Sequence, residues 1–154
     1  MDKSQKNVRA ETEDFVAVQP GLFDYPVKKG EKGRLLASRC RKCGATFFPR
    51  RTVCRHCLDE DGMEGIKLSS RGVIYTSTVV HVDSPSGIKA PYAFGYVDMP
   101  ADNIRVFALF SSVDRDLIKP GQGVEVVIGP IGTNQENKQV IGYTYKPVRR
   151  RISR

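Results

Sequence analysis

Two cysteine pairs, Cys40-x-x-Cys43 and Cys54-x-x-Cys57, constrain this chain more than any other feature. A C-x-x-C turn lets two thiolates reach one ion, and four soft ligands in tetrahedral array are what a structural zinc takes. Ten residues separate Cys43 from Cys54, the length of a short hairpin that returns the second pair to the first. Gly44 follows the first pair, where a knuckle needs a positive φ or a close backbone approach. Neighbouring Arg and Lys favour the metal-binding thiolate. The spacing predicts one structural zinc (Zn2+) on Cys40, Cys43, Cys54 and Cys57. A four-thiolate shell accepts iron as well, and zinc is preferred because no redox partner motif accompanies it. Two tight pairs differ from the dispersed framework of a secreted disulfide protein. His56 lies inside the second pair, but four thiolates complete the shell and leave it to the surface.

Downstream of residue 65 the chain reads as strands. Gly72–Val82 is rich in β-branched residues, and Tyr92–Met99 alternates with Tyr92, Phe94 and Tyr96 on one face. Ile104–Phe110, Val124–Ile128 and Gln139–Tyr145 complete five strands. A short helical turn is expected within residues 113–123, and loops at residues 83–91 and 129–138, where Pro and Gly cluster. The fold class is therefore all-β: a rubredoxin-like zinc ribbon followed by a five-stranded barrel of the OB type, with a small β-sandwich as the alternative. The expected organisation is a flexible arm and docking segment (1–33), the ribbon (34–58, entered by a strand at Arg34–Arg39), an acidic linker (58–65), the barrel (66–148) and a basic tail (149–154).

The formal net charge is +8, and it is unevenly spread. Residues 28–55 hold ten Lys or Arg against Glu31 alone, residues 66–145 balance seven against seven, and residues 146–154 add five more cations. Such a field attracts polyanions or an acidic partner surface. The start, MDKSQKNVRAETED, lacks an apolar signal core. No apolar run approaches the roughly 18 residues that span a bilayer, so the sequence reads as cytoplasmic.

Catalytic constellations are absent from the motifs: there is no phosphate-cradling Gly loop, nucleophile elbow or metal-activating His cluster. His81 beside Asp83 reads as a half-buried strand histidine in preference to a catalytic pair. Two classes remain: a nucleic-acid-binding module, since ribbons and OB barrels both serve that end, and an accessory subunit of an enzyme. The first calls for a face mixing aromatics with cations. The strands carrying Tyr92, Phe94, Tyr96 and Phe107 hold one basic residue, Arg105, and their aromatics could equally be core.

The runs CRKCGATFFPRRTVCRHC, SSRGVIYTSTVVH, APYAFGYVDM, IKPGQGVEVVI and IGYTYKPV, in this order over residues 34–148, resemble the zinc-ribbon/OB-fold family of acyl-CoA-associated proteins. The family's Phe-Pro-Pro-Arg run is matched by Phe48, Pro49 and Arg51, with Arg50 in place of the second proline. The resemblance implies a subunit without catalytic residues of its own. It implies a hetero-oligomer with a thiolase-like partner, and a shared path for a coenzyme A thioester. Phosphates of that acyl-CoA would be met by Arg39, Arg41, Lys42, Arg50 and Arg51, unless these pair with an acidic partner surface. Phe23, Tyr25, Phe47 and Phe48 are the candidate partner-docking residues; packing within the ribbon is the alternative.

Overall fold

Strand propensity and alternating burial decide the architecture. The computed structural model describes residues 15–24 and 32–148, and every regular element among them is a strand. In chain order these are β1 (Phe15–Ala17), β2 (Leu36–Cys40), β3 (Thr46–Phe47), β4 (Met63–Lys67), β5 (Arg71–Val80), β6 (Tyr92–Met99), β7 (Ile104–Phe110), β8 (Gly123–Thr133) and β9 (Gln139–Pro147). Residues 1–14, 25–31 and 149–154 lie outside the described residues, and with them most of the expected arm, Tyr25 and the basic tail.

Strands β5 to β9 close the five-stranded OB barrel that the sequence predicts. β5 pairs with β6 and β6 with β7; β7 runs parallel to β9, β9 pairs with β8, and β8 returns to β5. Inward positions carry Ala93, Val97 and Met99 of β6, Val106, Ala108 and Phe110 of β7, and Val124 and Val126 of β8. Tyr145 is fully buried, and its hydroxyl points at the Met99 sulfur, 3.4 Å away. Gly95 has a steric reason to be glycine: a Cβ there would meet the Thr76 carbonyl oxygen at 2.0 Å, beside the bulge between Ile74 and Thr76.

The ribbon is a three-stranded sheet in the order β3-β2-β4. The stretch 58–65, read as an acidic linker, only begins as one. Met63–Lys67 forms β4, which pairs with β2 from Leu36↔Lys67 to Cys40↔Met63. The free edge of β2 carries peptide groups that need partners, and β4 supplies them. The two modules also share one core. Leu35 and Ala37 cluster with Leu68, Ile74, Val97 and Val106, and Phe48 and Ile66 pack against them.

Three further expectations change. Phe15–Ala17 is strand instead of arm, parallel to Gln139–Ile141, on the edge of β9 that β7 takes over further along. The expected loop 129–138 is largely strand: β8 runs on to Thr133 through a bulge between Pro130 and Gly132. Its turn shrinks to the segment where the Asn134 side chain accepts from the N–H groups of Glu136 and Lys138 at 3.0 and 2.9 Å. The expected helical turn forms two non-helical turns instead, closed by Leu117 N–H to Asp114 O and Gln122 N–H to Lys119 O. Asp114 takes the Asp116 N–H onto its carboxylate at 2.9 Å. Pro120 has no N–H to offer, and Gly121 turns left-handed at φ 89. Ile118, from this segment, is 1% exposed and joins the core.

Candidate functional site

The two knuckles repeat one hydrogen-bond scheme. Cys40 N–H donates to Ala45 O and receives Gly44 N–H on its own carbonyl; Cys54 N–H donates to Asp59 O and receives Leu58 N–H. Both turns need a left-handed residue after the second cysteine, and these are Gly44 (φ 78) and Leu58 (φ 60). Ser38 of β2 accepts Arg51 N–H at 2.9 Å and so seats the chain returning to the second knuckle.

This brings the four thiols together as expected. Cys40 and Cys57 sulfurs lie 3.6 Å apart, Cys43 and Cys54 sulfurs 3.5 Å, and all four fall within 4.8 Å of one another. A disulfide needs about 2.05 Å, whereas four thiolates bonded to zinc at about 2.3 Å stand about 3.8 Å apart. The donor set therefore fits a tetrahedral zinc. Cys40 and Cys54 are buried, Cys43 exposed and Cys57 half-buried. Burial pushes the Cys54 thiol up, but the N–H groups of Cys57 and His56 together with hydrogen bonds from the Cys43 and Cys57 thiols bring it down to about 6. At Cys57 a backbone hydrogen bond from Asp59 is overcome by burial and the neighbouring thiols, and the group rises to about 12. Thiols this crowded repel one another once ionised, and a cation among them relieves the repulsion.

The proposed anion contacts sit around this centre. Arg41, Lys42, Arg50 and Arg51 are exposed, and Arg39 is half-buried, its Nε donating to Thr46 Oγ1 at 3.3 Å. The Arg51 guanidinium lies 6.0 Å from the Phe47 ring centroid. None of the five forms an ion pair with another described residue. Among the aromatic docking candidates, Phe23 is 7% exposed and belongs to the chain's own core. Phe48 is half-buried against Tyr143 of the barrel, and Phe47 is half-buried.

His56 is exposed, as expected. His81 is exposed rather than half-buried and lies just past the end of β5. The Asp83 carboxylate is taken by Ala90 N–H and Lys89, both at 2.9 Å, which holds it below the usual carboxylate range. The two side chains therefore form no catalytic pair.

One feature was left open by the sequence. Tyr96 and Phe107 are each 45% exposed and Tyr75 is 52% exposed, so these aromatics of β5, β6 and β7 lie on the outside of the barrel, while Phe110 of β7 turns into the core. The alternation of β6 put its rings on one face, but only barrel closure shows which face is outside.

The comparisons agree with this geometry. The model of the ChsH2 rubredoxin-like zinc ribbon domain matches residues 28–64, and that of the ChsH2 C-terminal OB-fold domain matches residues 66–129. A benzoylsuccinyl-CoA thiolase subunit BbsA of Geobacter metallireducens is 33% identical, over 94% of each chain. The BbsA subunit of Thauera aromatica is 30% identical over 96% of this chain and 100% of its own. A DUF35 domain-containing scaffold protein of Methanocaldococcus jannaschii is 31% identical over 77% of this chain and 84% of its own. A solved chain of an Ltp2-ChsH2(DUF35) aldolase has a TM-score of 0.59 at 21% identity, covering 74% of this chain and 84% of that one, a likeness of fold. Two domain models in ribbon–barrel order, and relatives of 33% and 30% identity over nearly the whole length, show that the chain belongs to the ChsH2/BbsA family, which joins a rubredoxin-like zinc ribbon to an OB-fold.

Proposed function

We propose that this chain is the non-catalytic accessory subunit of a thiolase-type acyl-CoA enzyme, held in a hetero-oligomer with a thiolase-like subunit in the cytoplasm. The observation that carries this reading is the near-full-length similarity to two thiolase subunits. Benzoylsuccinyl-CoA, named in both, is the substrate the reading favours, and anaerobic toluene breakdown is the route it belongs to. The chemistry of the site agrees. All four cysteines converge on one centre, which leaves none as an acyl-accepting nucleophile. Zinc there holds the ribbon's shape when bound. Arg39, Arg41, Lys42, Arg50 and Arg51 lie in and beside the ribbon's knuckles and form no ion pair with another described residue, which supports their charge being available to coenzyme A phosphates or to an acidic partner surface.

Copurification with a coexpressed thiolase-type subunit tests the reading, by gel filtration at about 0.3 M salt, where surface attraction is largely screened. Coelution supports it. A chain that elutes alone, yet retains single-stranded nucleic acid at low salt, overturns it in favour of a nucleic-acid module. Within a complex, replacing Arg50 and Arg51 by Ala separates two roles. A raised KM for the CoA substrate with the assembly intact marks phosphate contact, and dissociation marks docking.

A further inference from the structure

We propose that the outer face of β5, β6 and β7 is the surface through which this chain docks to its protein partner, and that the partner presents there an uncharged apolar patch with one protruding side chain. The inference rests on the accessory-subunit reading and specifies its interface.

The face is a continuous run of rings. Phe94 and Phe107 pack at 5.5 Å between centroids, and Phe107 meets Tyr96 edge to face at 5.9 Å. Tyr96 and Phe107 stand directly opposite each other across β6 and β7, as do Asp98 and Arg105 two positions further along on the same face. The Arg105 guanidinium then covers the Tyr75 ring at 3.4 Å. Exposed aromatics gathered in one patch are the usual mark of a protein interface, whereas scattered apolar residues are not. Among the described aromatics outside the barrel, Phe23 is in the core, Phe48 is spent on Tyr143, and Phe47 is half-buried with the Arg51 guanidinium near its ring, so they form no comparable run.

Charge selects the kind of partner. Arg105 is neutralised by Asp98 through two hydrogen bonds, at 2.6 and 3.1 Å. In the two loops that flank the face, Lys89 pairs with Asp83 at 2.9 Å and Lys138 with Glu136 at 3.9 Å. Each of these three cations has its own acid, so the ring-bearing part of β6 and β7 and its two flanking loops carry no net positive charge; Arg71, exposed at the start of β5, lies beyond the rings. OB barrels bind oligonucleotides on the corresponding strands, but a single strand also needs unpaired cations to track its phosphates. A neutral apolar protein surface is the complement this face does have.

At its far end the face opens into a cleft of about 320 Å³, walled by Tyr92, Phe94, Phe107 and Leu109, by Ile88 of the 83–91 loop and by Ile131 of β8. Interfaces concentrate their energy where one side chain enters such a pocket and is shielded from water by its surroundings. The cleft is the place for that anchor.

The test uses the full chain coexpressed with its thiolase-type subunit, and compares wild type with Tyr96→Ser/Phe107→Ser and with Leu117→Ser. Leu117 is 46% exposed and lies outside the face. The double variant is expected to bind roughly 30-fold or more weakly, with Leu117→Ser within about twofold of wild type, since single surface changes away from an interface are near neutral. Zinc content and melting temperature of the double variant should stay close to wild type. If it melts markedly lower, Tyr96→Asp, a single charge placed in the patch, serves instead and should weaken binding likewise. Equal binding by wild type and these variants overturns the docking surface and leaves the accessory role standing. No binding by wild type overturns both. Retention of a single-stranded oligonucleotide by wild type, lost in the double variant, overturns the protein occupant.

Discussion

The ring of Phe48 meets the ring of Tyr143 edge to face, with centroids 5.8 Å apart and planes at 82°. Phe48 follows β3 of the ribbon, and Tyr143 is on β9 of the barrel, where it in turn meets Tyr145 at 6.5 Å. The Tyr143 hydroxyl donates to the Phe107 carbonyl at 2.8 Å, which fixes the ring that Phe48 rests on. This contact ties the metal-bearing module to the barrel.

Phe48→Ala should therefore loosen the joint without emptying the metal centre. A half-buried Phe cut to Ala should cost about 2 kcal/mol, a fall in Tm of about 4–8 °C for a chain of this size. Amide exchange should rise along β2 and β3, while elemental analysis still finds zinc.

Freshly purified chain should carry about one equivalent of zinc, the number a single four-thiolate shell holds. Cys54→Ser should lose it. Because Leu35 and Ala37 belong to the same core as the barrel residues, the damage should reach beyond the knuckles. One cooperative melting transition at lower temperature is expected in place of two. Calorimetry with parallel metal analysis checks both.

Glu125 gives the stability a pH dependence. It is 6% exposed, and Lys32 pairs with it. The Lys32 hydrogen bond outweighs burial, Arg71 and Lys146 add to it, and the carboxyl is held below its ordinary 4.5. A depressed folded value means stability that is present above the unfolded pKa and lost as pH falls through the folded one. Glu125→Gln should thus lower the urea midpoint at pH 7, with the gap from wild type closing as pH falls below about 4.5. Lys32 is 66% exposed, so salt should narrow the gap as well.

Leu58 sits at φ 60 and is 75% exposed, whereas the equivalent turn of the first knuckle uses Gly44. A left-handed leucine costs about 1–2 kcal/mol, and glycine's greater unfolded entropy returns about 0.5–1 kcal/mol of that. Leu58→Gly should raise stability by about 0.5 kcal/mol, a gain of about 1–2 °C in Tm.

The cysteine spacing determined the metal centre, because a C-x-x-C turn is local and two of them joined by a hairpin leave little other geometry. Strand periods determined β5 to β7 and the core of β8 and β9 for the same reason: alternation is written in consecutive residues. What lay beyond local reach needed the folded chain. Met63–Lys67 became a strand because β2 had an edge to fill, and Phe23 and Phe48 became packing residues because two modules share one core. In β6 the period of two separates Tyr92, Phe94 and Tyr96 from Ala93, Gly95, Val97 and Met99, yet both sets could line a core. Barrel closure made the choice. Thr76 of β5 approaches Gly95 so closely that no side chain fits there, and the small residues turn in while the rings remain outside.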